Sequence, residues 1–138
     1  MENQVIGWLE HIALPSLGLH RIKAKIDTGA KWSALHAENI AYQVIDQKKY
    51  VFFEVTHESG EVSKVRAHFL ETRSIKSSSG HVTVRPVIIM KTIIGKHQFD
   101  TQFTLINRSL MRYKVIIGRD ALCDRFVVDP AKTYLLEA

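Results

Sequence analysis

Apolar residues along this chain recur with a period of two far more often than with the spacing of a helix face. Tyr50-Val51-Phe52-Phe53-Glu54-Val55 and Phe103-Thr104-Leu105-Ile106 are rich in the β-branched and aromatic side chains that fit a pleated, half-buried surface. Turn-forming clusters punctuate these runs: Asp46-Gln47-Lys48, Glu58-Ser59-Gly60, Ser77-Ser78-Ser79-Gly80 and Gly95-Lys96. The pattern predicts strands near 5–13, 20–26, 41–46, 49–57, 61–73, 81–94, 97–106 and 114–117. One short helix is predicted after Gly118, with Asp120 as its cap and Ala121-Leu122-Cys123 as its apolar face. Asp129-Pro130 then predicts a turn before a last strand, Thr133-Tyr134-Leu135-Leu136. Many short strands with frequent turns imply an all-β barrel or sandwich.

The 138 residues contain no linker or repeat, and no low-complexity tract beyond the serines at 77–79, so the chain reads as a single domain over 1–138. An apolar fraction of 46% describes a globular protein rather than a disordered one. No window approaches the roughly 18 apolar residues of a membrane span. Met1-Glu2-Asn3-Gln4 carries an acid where a secretion signal is basic, so a cytoplasmic location is expected. Cys123 is the single cysteine, which rules out an internal disulfide and agrees with a reducing compartment. Its apolar neighbours, Ala121-Leu122 and Phe126-Val127-Val128, predict a buried thiol. The net charge of +5 favours acidic partners. The basic residues are scattered, however, with no dense Lys/Arg block, which argues against nucleic acid.

The candidate chemistry lies in two segments. Ile26-Asp27-Thr28-Gly29-Ala30 sets an acid, a hydroxyl and a glycine directly after an apolar strand. Late in the chain comes a second apolar-glycine segment, Val115-Ile116-Ile117-Gly118-Arg119-Asp120. The Asp-Thr-Gly triplet occurs once; its nearest echo, Glu58-Ser59-Gly60, has a different acid in a polar stretch. Taken alone, the triplet also reads as a strand-ending turn. Both segments together carry the resemblance that favours an active site.

Together these segments resemble the retropepsins, single-domain aspartic proteases that work as dimers. The longer run Lys25-Ile26-Asp27-Thr28-Gly29-Ala30-Lys31-Trp32-Ser33-Ala34-Leu35-His36-Ala37 is similar to a bacterial and archaeal retropepsin-like family often labelled an ATP-dependent zinc protease. The resemblance runs from about Ile6 to Val128. It implies an all-β fold, a closed barrel of the retropepsin (acid protease) type with one short C-terminal helix. It also implies an aspartic endopeptidase acting as a homodimer, in which Asp27 of each chain contributes one carboxylate to a water-activating dyad. Two such carboxylates cannot both ionise cheaply, so one proton is shared and identical residues become a base and an acid. By the same resemblance the Thr28 hydroxyl bonds across the dimer, and Ile116-Ile117-Gly118 packs beneath the Asp27 loop. Gly29 lets that loop turn where a side chain would obstruct it.

The family closes a β-hairpin flap over its substrate. The matching turn is Ile75-Lys76-Ser77-Ser78-Ser79-Gly80, flanked by Val65–Ser74 and His81–Met90. Ala30 and Lys31 beside the dyad, with Ser78, Ser79 and Gly80 at the tip, are therefore the expected substrate-binding residues. The implied partner is an extended peptide or protein tail. Some relatives are linked with enzymes that add glutamates to ribosomal protein tails. That link, the positive charge and Lys31 point to a glutamate-rich tail, with Arg21, Lys23 and Arg85 as further candidate cations of the cleft or simply solvated charges.

The chain departs from retroviral enzymes at Lys31-Trp32, where an acidic or small residue is usual. Lys31 is either a cation near the dyad or a solvated side chain, and Trp32 either packs or walls a pocket. The zinc and ATP of the family label find no support: there is no His-Glu-x-x-His, no cysteine pair and no phosphate-binding glycine loop. No metal and no cofactor are expected. The seven histidines are dispersed, with His36 nearest the motif and more often structural than a ligand. Two other classes of function stay open, a catalytically inactive peptide-binding module of the same fold and a basic nucleic-acid-binding barrel.

Overall fold

The computed structural model describes residues 3–77, 79–107 and 112–136. It is built almost wholly of strands: β1 (Gln4–Leu14), β2 (Leu19–Ile26), β3 (Ser33–His36), β4 (Glu38–Ile45), β5 (Lys48–Thr56), β6 (Val62–His68), β7 (Glu71–Lys76), β8 (Val82–Ile94), β9 (His97–Ile106), β10 (Val115–Ile117) and β11 (Phe126–Thr133). A single helical turn, α1 (Arg119–Leu122), comes after β10, and a short 3-10 turn at Pro15–Leu17 joins β1 to β2.

Eight strands form one sheet in the order β11-β1-β2-β10-β3-β9-β8-β7, and β4-β5-β6 form a second. The large sheet returns on itself where Ala13 of β1 pairs with Ile93 of β8. The ring of pairings thus rests on one residue pair at that side, narrower than the continuous closed barrel expected. A single hydrophobic cluster joins the two sheets. It includes Val51, Phe53 and Val55 of β5, Ile88 and Met90 of β8, Leu105 of β9, and Ile26 and Ile117 at the ends of β2 and β10. On β5 the buried positions alternate with partly exposed ones, the period-two signature visible in sequence.

Several expectations are corrected. The expected strand 61–73 is two strands in different sheets. Phe69 still donates to Lys49 of β5, at 3.0 Å, whereas Leu70 donates to Val87 of β8, also at 3.0 Å, so the chain changes sheets between neighbouring residues. Asp129-Pro130 lies inside β11 rather than in a turn. Of the expected strand Thr133–Leu136, only Thr133 belongs to β11, and the chain turns at Leu135 and Leu136. The reason is the slip in register between Gly7 and Leu9, opposite Asp129 and Thr133. Pro130 sits in that irregular stretch of an edge strand, where a missing N–H costs no regular ladder bond. Helix α1 is capped by the Gly118 backbone, with Asp120 inside its first turn rather than at the cap. The Cys123 thiol is exposed, not buried, because the chain turns at the helix end and directs Ala121 and Leu122 to the core in its place.

Candidate active site

Strands β2 and β10 run parallel and in register, with Ile26 beside Ile117, so their ends bring the two sequence segments together. The Asp27 N–H donates to the Ile117 carbonyl at 2.8 Å. Beyond that point the Asp27–Trp32 loop leaves β2 and is gripped by the residues just after β10. Arg119 N–H donates to the Ala30 carbonyl at 2.8 Å and Asp120 N–H to the Lys31 carbonyl at 3.0 Å. The Arg119 guanidinium adds a bond to the Thr28 carbonyl at 2.9 Å. A Cβ at Gly118 would stand 2.6 Å from the Trp32 carbonyl carbon and oxygen, so only glycine allows this approach of backbone to backbone.

Inside the loop the Gly29 N–H donates to Asp27 Oδ1 at 3.0 Å, orienting the carboxylate. Gly29 is not among the glycines with positive φ. A Cβ there would lie 3.2 Å from Asp27 Oδ1, a contact that would make the carboxylate shift by a few tenths of an ångström. Asp27 is partly exposed, and Thr28 is exposed. Behind the loop, Ser33 ties three elements: its Oγ accepts from Gly118 N–H at 3.0 Å, and its carbonyl accepts from the Thr104 hydroxyl at 3.3 Å.

A cleft of about 550 Å³ opens at Asp27. Gly29, Ala30, Lys31 and Trp32 line it from the loop, and Ser74 to Ser77 with Arg85 line it from the β7–β8 hairpin. That hairpin stands where a flap was expected, and its strands pair from Glu71↔Val87 out to Lys76↔Val82, so of the expected flank Val65–Ser74 only Glu71 to Ser74 belongs to it, Val65 to His68 lying in β6 of the other sheet. Gly80 N–H donates to the Ser77 carbonyl at 2.9 Å, closing the tip. Ser79 and Gly80 are exposed at this tip, beyond the cleft lining, which on this side ends at Ser77. Ser78 lies outside the described residues. Trp32 carries the Arg73 guanidinium 3.8 Å from its ring centroid and the Lys31 ammonium at 4.8 Å, so it works as packing and as cleft wall together.

Of the other candidates, Arg21 and Lys23 line a separate groove with Arg112 and Lys114, away from Asp27. His36 is buried on β3, with Nε2 3.5 Å from Glu38 Oε1. Among the described residues no cluster of three or more His, Cys, Asp or Glu side chains is placed to hold a metal. Among the described residues no helix is long and apolar enough to cross a membrane. Ser33 and Arg119 fall within the two quoted segments, but their bonds, like those of Thr104 and Arg73, could not be read from sequence, because each acts on a group brought near only by the fold.

The site thus brings one carboxylate, oriented by the Gly29 N–H, onto a loop locked by the second apolar-glycine segment and set beside a hairpin. A family model described as RimB-like, the retropepsin-like aspartic endopeptidase RimB, matches residues 5–138. The chain belongs to this family. Among curated proteins the RimB-like chain is similar to a "Probable alpha-L-glutamate ligase" of Shewanella halifaxensis, 33% identical over 135 residues that cover 96% of this chain and 30% of that protein. Proteins of the same name from Parasynechococcus marenigrum (35% over 135 residues, 96% and 29% covered) and Desulfotalea psychrophila (37% over 131 residues, 93% and 28% covered) match likewise. The chain thus spans less than a third of the length of these relatives, from 28% to 30%. Among solved structures it is similar to a Legionella pneumophila protein of unknown function, with a TM-score of 0.86 and 29% identity, covering 99% of this chain and all of that one.

Proposed function

We propose that this RimB-like chain is an aspartic endopeptidase that acts as a homodimer. The observation that carries the reading is the Asp27 carboxylate, oriented by Gly29 N–H and facing the cleft under the β7–β8 hairpin. Asp27-Thr28-Gly29 occurs once, so the second acid comes from a second copy. Two Asp27 side chains facing each other hold one proton between them. The ionised one takes a proton from a bound water while the protonated one polarises the scissile carbonyl; the water oxygen adds to the carbonyl carbon with no covalent enzyme intermediate, and collapse of the resulting diol breaks the C–N bond as a dyad proton passes to the leaving nitrogen. Thr28, exposed at the loop apex, is suited to hydrogen-bond its counterpart across the dimer.

The substrate is read as an extended peptide or protein tail, laid along the hairpin by added-strand pairing. A glutamate-rich tail in the cytoplasm is the proposed target. The net charge of +5 supports this, as do relatives named glutamate ligases that carry this domain as part of a longer chain. That same partial coverage favours one rival, a domain that binds such tails without cutting them.

The deciding experiment is mass-spectrometric cleavage of a mixed peptide library containing glutamate-rich tails, from about pH 4 to 8. Cleavage lost in Asp27→Asn is expected. No cleavage from a dimeric protein favours the binding module, and equal cleavage by both proteins removes Asp27 from the chemistry.

A further inference from the structure

We propose that the groove lined by Lys23, Arg112 and Lys114 is an exosite that takes an acidic segment of the bound peptide, some residues away from the bond at Asp27; the inference rests on the peptide-cleft reading above. The groove, about 500 Å³, is a separate cavity from the Asp27 cleft, but the sheet joins the two. Lys25 of β2 pairs with Leu9 of β1 on one side and with Ile116 of β10 on the other. Residues so paired project from the same face. Leu9 lines the groove and Ile116 lines the cleft, so Lys25 stands between them. Lys23 projects from that face as well, two residues earlier on β2. An extended chain rises about 3.3 Å per residue, so Lys23 stands roughly 13 Å from Asp27 along the strand. A peptide leaving the cleft along β2 thus brings to Lys23 a side chain about four residues from its cut bond.

The balance of charge in the groove selects the ligand. Val115 pairs with Ala24, and the residues just before them are Lys114 and Lys23, so both lysines enter the groove together. Lys114 Nζ donates to the Thr56 carbonyl, a neutral acceptor that fixes the ammonium without cancelling its charge. Arg112 is exposed, with its guanidinium 5.7 Å from the Tyr113 ring centroid, and Tyr113 packs edge-on against Trp8 of β1 at 6.3 Å. Glu58 is the acid among the described lining residues, so the groove is positive in sum, and it is so without Arg21, which lines it too. Apolar walls, to which Leu9, Ile22 and Val55 contribute, concentrate the field of such a groove. An acidic peptide fits better than a nucleic acid, whose bases need open aromatic faces to stack on. The Tyr113 ring in this groove is already engaged by Arg112 and Trp8.

The test has a binding arm and a cleavage arm. In the first, a fluorescent octapeptide of glutamate and its glutamine counterpart are titrated into the full-length Asp27→Asn protein. The glutamate peptide is expected to bind about tenfold more tightly, and adding Lys23→Gln with Arg112→Gln should remove most of that preference. Lys23→Arg with Arg112→Lys, which retains the charges, should retain the preference, and added salt should shrink it. In the second arm a mixed peptide library is cut by the protein with Asp27 intact. Glutamate should be enriched about three to six residues from the cut bond, and Lys23→Gln with Arg112→Gln should abolish the enrichment. Equal affinity for the two octapeptides, or a preference that Lys23→Gln with Arg112→Gln leaves intact, overturns the exosite. A single-stranded RNA octamer that outbinds the glutamate peptide through the same two residues overturns the peptide occupant and assigns the groove to nucleic acid. Groove-dependent binding without any cleavage overturns the peptidase reading alone, and cleavage with no glutamate enrichment at that distance overturns the exosite alone.

Discussion

The Arg119 guanidinium holds the carbonyl oxygen of Thr28 at 2.9 Å, across 91 residues of sequence. With the N–H groups of Arg119 and Asp120 on the carbonyls of Ala30 and Lys31, it makes the loop of the candidate catalytic acid a part of the segment after β10. The two segments legible in the sequence are thus one structural unit, and the second exists to hold the first.

Removing the Arg119 side chain should loosen that loop without unfolding the protein, because the guanidinium works at the surface. Arg119→Ala is expected to leave the melting temperature nearly unchanged and to lower kcat about tenfold, the effect of a carboxylate displaced by roughly 1.4 kcal/mol of lost positioning. Steady-state kinetics beside thermal unfolding check this; a large loss of stability with kcat intact would contradict it.

The two glycines of the site should fail in different ways. At Gly118 a methyl meets backbone at 2.6 Å, which cannot give cheaply, so Gly118→Ala should destabilise by about 3 kcal/mol. At Gly29 the neighbour is the Asp27 carboxylate at 3.2 Å, which can turn aside. Gly29→Ala should therefore fold almost normally and lose activity. Urea denaturation and cleavage assays on both variants separate the cases.

Glu10 is fully buried and binds the end of the chain. Its Oε2 accepts from Gly7 N–H at 2.7 Å and Leu135 N–H at 3.0 Å, and its Oε1 from Leu136 N–H at 3.3 Å. Glu10→Gln turns one acceptor into a donor facing donors. A loss of about 2–4 kcal/mol in urea denaturation is expected, with proteolysis beginning near the C-terminus. An unchanged midpoint would show that the latch is dispensable.

Cys123 is exposed at the end of α1. Its thiol should react with an aromatic disulfide reagent in the folded protein as fast as in urea, and Cys123→Ser should alter stability by less than about 0.5 kcal/mol. Protection of the thiol until unfolding would contradict its placement.

How much the sequence made legible depends on how local each signal is. Alternation marked β5 because it has one face in the core and one turned outward. It missed β3, whose four residues, Ser33 to His36, are all buried, so no alternation exists to be read. The break at Phe69-Leu70 was invisible because both residues are apolar and only their partners, Lys49 and Val87, differ. Asp27-Thr28-Gly29 and Gly118 stood out as motifs. The place of Lys25 between groove and cleft did not, since which residues flank it depends on the register of β2 against β1 and β10.

The central claim is that one active site needs Asp27 from two chains. Wild-type and Asp27→Asn proteins, co-refolded at varying ratios and fixed total concentration, test it most directly through peptide cleavage. If each site draws one acid from each chain, mixed dimers are inactive and the rate varies as the square of the wild-type fraction. A rate that falls in simple proportion to the wild-type fraction would mean that each chain acts alone, and would contradict the account.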